Sequence, residues 1–496
     1  MVVRKRLDGV ERRANLGTIS SALSIVTQAL DADQKALNVV ANNVSNASTP
    51  GYTEETATWQ ENQSITVNGV SYGQGVTETG ATSQRDKVLE ARLDQQQQLA
   101  SSSSTRLTAL DTVQALFTVA SSTTTTGDIG TDLTSFYNSF STLEGSPTNT
   151  SDRDSVLSTA KTLSSDISSA ATSLTSQKSS LDQDASGVTS QVNALTTSIA
   201  QLNQQIQTTS PNSDAGTLED QRTEDVNQLS KLVGINQITT QDNGLAITTT
   251  SGALLVSGNS SYEMTNGTVN GVTDFYVGNT DITSQLATGG GELGGYLTAR
   301  DTDIPSVLNS LDQLAYGIST SVNSLNNSGT DASGTEGTGT NSSGVTGTGT
   351  TALYIFNQPT EVSGSAVAMS VTMTDSNEIS AASYSEGTGG GSNATAMYDL
   401  SKQTNVSGQT PSNYYSSFVS ALGSTVSEVS TESTAQTASV TQLQSQRDSL
   451  SGVNLNDEAS TLTTFERSYD AASQVFSILD RLMASALNLG EATTVS

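Results

Sequence analysis

The chain has 496 residues, with 49 acidic against 20 basic side chains, a net charge of −29, and neither histidine nor cysteine. Those absences exclude disulfides, thiolate metal sites and histidine acid–base catalysis, and the negative charge repels nucleic acid. Aromatic residues make up 4% and charged residues 14%, a composition that suits several domains of long, narrow-seamed helices joined by polar loops better than one large core.

Residues 1–15, MVVRKRLDGVERRAN, are basic and lack apolar periodicity. No continuous apolar stretch follows them, so a cleaved secretory signal is not supported. This segment is expected to hold no stable structure. Two origins stay open for it: a disordered export leader, or a start placed too early with Leu16 as the true initiator. No run of eighteen apolar residues occurs, so no membrane-inserted segment is expected.

From Ile19 apolar residues recur at Leu23, Val26, Leu30, Leu37, Val40 and Val44. Spacings of three and four give a period of 3.5, the mark of a coiled-coil seam. Asp33 interrupts it, and Ala22, Ala29 and Ala36 flank it. The run stops at ANNVSNASTPGYTEE, residues 41–55. Asn46 suits a left-handed helix end, Pro50 and Gly51 fix a turn, and Tyr52 offers an anchor. Helices are also expected over 89–117 and, about 75 Å long, over 156–206. Gly187 marks a possible break, and residues 210–216 end the long helix. Between 236 and 290 apolar and polar residues alternate between Gly/Asn turns, which predicts short antiparallel strands. Helix returns over 294–325. Residues 327–350 are low-complexity Gly/Ser/Thr and are expected to form a flexible loop. SGSAVAMSVTMTD, 363–375, reads as a strand, and 418–450 as a helix. The last helix repeats the heptad at Leu455, Leu462, Tyr469, Phe476 and Met483. Phe465, Ala472, Leu479 and Ala486 form its second row, and Val475, Leu482 and Leu489 widen the face. Two seams this narrow are weak alone and suit helices that partner each other or a neighbouring subunit.

Three motifs carry little chemistry. Gly289, Gly291 and Gly294 fit G-x-G-x-x-G, but no buried parallel strand precedes them. Ser158 and Lys161 fit S-x-x-K without its companion elements. Asp301 and Asp303 are too few for a calcium loop. No catalytic, cofactor or metal constellation is found, and an enzyme is not expected. The fold class expected is mainly α with an inserted β module.

The stretch ALNVVANNVSNASTPGYTEE resembles the N-terminal signature of bacterial flagellar axial proteins, the rod, hook and hook-associated group. SGVNLNDEASTLTTFERSYDAASQVFSILDRLMASALNL and GGELGGYLTARDTDIPSVLNSLDQLAYGISTSVNSLN resemble one branch of it, the family of hook-associated protein 1, which joins hook to filament. The resemblance implies a structural, extracellular role after type III export. Its implied partners are other copies of the chain, hook protein, a second hook-associated protein on the filament side, and a cytosolic chaperone on the C-terminal helix. The implied layout has an inner coiled-coil domain (16–55 and 452–490), a long-helix domain (56–235 and 291–451) and a β-rich outer module (236–290). In that layout Asn42, Asn43, Asn46, Pro50, Gly51 and Tyr52 form the signature turn. The packing residues are the seam from Ile19 to Val44, with Leu455, Leu462, Phe465, Tyr469, Phe476, Leu479 and Leu482. Hook protein itself, or a secreted coiled-coil adhesin or translocator, remains an alternative.

Overall fold

The computed structural model describes residues 2–67, 70–117, 128–210, 214–241 and 243–488. Helix α1 (Val2–Asn46) leads into a hairpin of β1 (Glu55–Glu61) and β4 (Val76–Ser83), with β2 (Ile65–Val67) and β3 (Val70–Tyr72) paired at its tip. Four helices follow: α2 (Lys87–Ala115), α3 (Ile129–Gly145), α4 (Thr150–Thr209) and α5 (Thr217–Leu232). Strands β5 (Ile235–Thr239), β6 (Leu245–Thr249), β7 (Leu254–Ser257) and β8 (Ser260–Ser261) form one sheet in sequence order. Strands β9 (Met264–Val269), β10 (Val272–Val277) and β11 (Thr280–Asp281) form a second. Helices α6 (Thr283–Gly289), α7 (Gly291–Thr298) and α8 (Ile304–Asn326) return the chain to the bundle. After two short helices, α9 (Ser365–Ala368) and α10 (Ser392–Asp399), come α11 (Pro411–Ser451) and α12 (Leu455–Asn488).

The organising element is α4, 60 residues and so about 90 Å long at 1.5 Å per residue. Its first half buries Val156, Leu163, Ile167 and Leu174 in a core shared with α3, α8 and α11. Its second half buries Val188, Val192 and Ile199 in a separate core with α5 and the two sheets. Gly187 does not break the helix, because bonds on either side of one glycine hold the ladder at a cost of about 1 kcal/mol. Between α7 and α8 the helix widens into a π-type turn at Ala299–Asp303. Pro305, just beyond it, lacks an N–H and crowds the preceding turn, and the wider turn relieves that crowding. Arg300, almost fully buried, bonds there to Asp182 of α4 at 2.5 Å and to the Thr273 carbonyl of β10 at 2.8 Å, fastening one sheet to the bundle.

Several expectations are corrected. The backbone is helical from Val2, so residues 2–15 are not without structure. Arg, Lys, Leu and Glu, which recur in this stretch of sequence, have good intrinsic helix propensity. The region after 56 does not begin as helix: residues 55–83 form the β1–β4 hairpin. Its mixed Thr, Gln and Glu content gave only a weak alternation.

The loop 327–350 is ordered. Asp331 accepts from the backbone N–H groups of Ser333 and Thr335, both at 2.8 Å, and Asn341 repeats this at Ser343 and Val345, at 3.1 and 3.0 Å. Gly337 N–H donates to Gly329 at 3.0 Å and Gly347 N–H to Gly339 at 2.9 Å, stacking the two turns. The low complexity reflects close backbone contact, for a Cβ on Gly337 would collide with the Asn327 carbonyl. Residues 363–375 contain α9 and one isolated bridge, Phe356 to Val371, in place of a strand. Their apolar residues fill the bundle core, with Ala366, Met369 and Met373 buried.

Candidate assembly site

Helix α1 stops because its end is tied down by its own asparagines. Asn46 donates its side-chain amide to the Asn42 carbonyl at 3.1 Å and the Asn42 Oδ1 at 2.9 Å. Its backbone carbonyl accepts from Thr49 N–H at 2.8 Å. Asn46 is not left-handed, contrary to expectation; Gly51 is, with φ +80°. Thr49, Pro50, Gly51 and Tyr52 make a type II turn, closed by Tyr52 N–H on the Thr49 carbonyl at 3.2 Å.

The centre of the site is Asn43, 1% exposed. Its amide donates to the Glu55 carbonyl at 2.8 Å and to Glu458 Oε1 at 2.7 Å. Its Oδ1 accepts from the Tyr52 hydroxyl at 2.8 Å and the Glu55 N–H at 3.0 Å. One side chain thus joins the end of α1, the start of β1 and the first turn of α12. The Tyr52 hydroxyl also accepts from Asn42 at 3.3 Å. Nearby, Glu54 N–H donates to the Ser451 carbonyl at 2.8 Å, and Ser451 Oγ donates to the Gln84 carbonyl at 2.8 Å. This joint is held to the body by polar contacts. Ser83 donates N–H and hydroxyl to Asp214, both at 2.6 Å, and Thr53 N–H donates to Asp220 at 3.3 Å. Arg85 pairs with Glu219 at 2.6 Å and with Asp220.

Beyond the joint, α12 runs back along α1 as an antiparallel partner. Leu462, Phe465, Tyr469, Phe476 and Leu479 are half-buried, at the heptad positions read from the sequence. Phe465 meets Trp59 of β1, ring centroids 5.8 Å apart. On α1, Val40 is buried, and Ile19, Leu23, Val26, Leu30 and Leu37 are half-buried. The most buried face of α1 is Ala32, Ala36, Val40 and Asn43, turned from the predicted stripe because the hairpin covers a second side. Ile25 and Gln28 approach Gly75 there, and Lys35 pairs with Glu78 at 3.4 Å. Three expected seam residues stay outside the pair: Val44 is 45%, Leu455 55% and Leu482 50% exposed. Val475 and Ile478 are exposed beside Leu482, and Leu489 lies outside the described residues. Two helices cover each other on one side only, and a narrow stripe widened by a third row leaves that row uncovered.

Acidic groups crowd the joint. Burial pushes the carboxyls of Glu54, Glu55 and Glu458 above their usual range, and pushes the Tyr52 phenol up as well. Next to it, in a small polar cavity between α2, α5 and the first sheet, burial raises Glu90 to about 7 and Asp94 to about 6. Among the described residues no group of three or more carboxylates could hold a metal ion, and no helix is long and apolar enough to cross a membrane. Ser158 and Lys161 lie on the exposed face of α4. Gly289, Gly291 and Gly294 follow a helix, not a strand, and Asp301 and Asp303 are paired with Arg300 and Arg106.

Sequence reasoning did not single out Glu458, Arg85, Asp214, Glu219 or Asp220. None sits in a periodic pattern, and their partners are remote in the chain. The one available signal was the position of Glu458 inside the C-terminal block quoted above.

The termini and body each match a known sequence profile. Residues 23–53 match flagella basal body rod proteins, and residues 444–489 match the C-terminal region of flagellar basal body rod FlgEFG proteins. Residues 110–341 match the helical domain of flagellar hook-associated protein FlgK. Over 95% of this chain and the whole of the relative, the sequence is 27% identical to flagellar hook-associated protein 1 of Salmonella typhimurium. Along nearly its whole length the chain is similar to flagellar hook-associated protein 1. Flagellar hook-associated protein 1 of Escherichia coli is 26% identical over 95% of this chain, and that of Bacillus subtilis 24% over 94%, each covering 97% or more of the relative. The fold is similar to that of the flagellar hook junction protein FlgK from Burkholderia pseudomallei, with a TM-score of 0.61 at 18% identity, over 72% of this chain and all of that one. Hook-associated protein 1 is a flagellar component of structural type, and this chain shares its mainly helical fold with small inserted sheets.

Proposed function

We propose that the chain is a structural subunit that joins hook to filament in the bacterial flagellum. The observation that carries this reading is the α1–α12 pair: an apolar seam is half covered within the chain, and Val475, Ile478 and Leu482 are left exposed on the outer side. An antiparallel pair of this kind gains the rest of its burial from neighbours, at roughly 1.5–3 kcal/mol for each large side chain fully covered. The partners of the seam residues Ile19 to Val40 and Leu462 to Leu479 are then copies of the same chain, hook protein on one side and a second hook-associated protein on the other. In this reading the turn from Asn42 to Tyr52 carries the chain outward from the inner pair, and the strands between 235 and 281 lie outermost. The role is mechanical, without catalysis, and is exercised outside the cell after export through the flagellar type III apparatus. A cytosolic chaperone that covers α12 before export fits the same exposed apolar row.

The test is a deletion strain examined by electron microscopy. Hooks without filaments, with flagellin shed into the medium, are the expected outcome. Absence of hooks would reassign the chain to the rod or hook, and intact filaments would remove it from the junction.

A further inference from the structure

Glu458 is 5% exposed, and only half of its carboxylate is satisfied. Oε1 accepts from Asn43 at 2.7 Å, while the buried Oε2 has no hydrogen-bond partner. The groups facing it do not compensate. From the turn come Tyr52, whose hydroxyl proton is given to Asn43, and the carboxylate of Glu54. From α12 itself comes Asp457, held by Asn454 at 2.8 Å. The cations of adjoining elements are engaged elsewhere: Arg85 with Glu219 and Asp220, Lys35 with Asp31 and Glu78, and Arg447 with Asp448.

We propose that Glu458 is a proton-operated latch: its protonated form holds the first turn of α12 against the end of α1, and its ionised form loosens that joint. A buried carboxylate with an orphaned oxygen and like charges opposite is costly, whereas the neutral acid keeps the Asn43 bond without the repulsion. Burial, first, and then Glu54 and Asp457 raise its titration above that of a free glutamate, against the lowering by Asn43. A raised folded-state value means that the joint is firmest below the ordinary carboxylate range and weakens as pH rises through the raised value.

The chain carries its own reporter, since Trp59 is its single tryptophan and packs on Phe465, two turns along α12 from Glu458. In the full chain, the melting midpoint followed by Trp59 fluorescence is expected to fall by several degrees between pH 5 and pH 8. Glu458→Gln should raise the midpoint at pH 8 and leave it nearly unchanged at pH 5, narrowing that gap. A gap equal to the wild type in Glu458→Gln, or a wild-type midpoint that rises with pH, overturns the latch. If Glu458→Gln does not fold, Glu54→Gln serves instead. Removing the facing charge should bring the fall to lower pH and make it smaller; an unmoved profile overturns the latch equally.

Discussion

Replacing Asn43 by alanine removes the centre of the joint without touching the body. Four hydrogen bonds disappear, three to neutral partners and one to the Glu458 carboxylate. At about 1 kcal/mol for each neutral bond and about 1.5–3 kcal/mol for the charge-assisted one, the loss is near 5 kcal/mol. The Tyr52 hydroxyl, the Glu55 backbone and Oε1 of Glu458 are left without this partner, and Glu458 then has neither oxygen bonded. That cost falls on the contact between α1, β1 and α12, because the two main cores lie along α4 and do not include Asn43. Urea or thermal unfolding of Asn43→Ala should therefore separate into two transitions. Trp59 fluorescence, which reports on the β1–α12 contact, should move to much milder conditions, while the far-ultraviolet circular dichroism of the bundle keeps most of its transition. A Trp59 transition within about 1 kcal/mol of the wild type would refute the role given to Asn43. Fluorescence and dichroism falling together would refute the separation of joint from body.

Leu479→Asp puts a charge into the half-buried face of α12, at a cost of about 3 kcal/mol or more once neighbours cover it; cells should lose filaments and swim no longer, and normal motility would refute the seam. Glu90→Gln tests the buried acid of the polar cavity, raised by burial to about 7 against the counteracting charge of Arg447. Its folded value lies above its unfolded one, so the wild type loses stability as pH rises from about 4.5 toward 7. The variant should be more stable at pH 8, by up to about 3 kcal/mol, and equal at pH 4.5, as read from denaturant midpoints. Gly337→Ala should destabilise the 327–350 segment by about 1–3 kcal/mol, because its Cβ meets the Asn327 carbonyl; an unchanged melting curve would return that segment to a flexible loop.

The sequence by itself determined the elements whose signal is local. Heptad spacing places α12 and its inward row, and the same habit places α2, α4 and α11, since a helix face is defined by residues three and four apart. The Thr49–Tyr52 turn is legible because proline and glycine restrict the backbone wherever they occur. Only the tertiary structure decided which faces are covered and what fastens the ends to the body. Val44, Leu455 and Leu482 belong to the same apolar pattern as their neighbours, yet the geometry of a two-helix pair beside a hairpin leaves them exposed. Asn43 and Glu458 stand 415 positions apart, and Arg85 and Asp220 135 apart. The 327–350 segment is ordered through Asn327, and through Tyr384, whose hydroxyl donates to the Gly339 carbonyl at 2.8 Å. Polar contacts of this kind follow no period along the chain: they form where chain closure brings a donor to an acceptor, and burial then makes each one costly to lose.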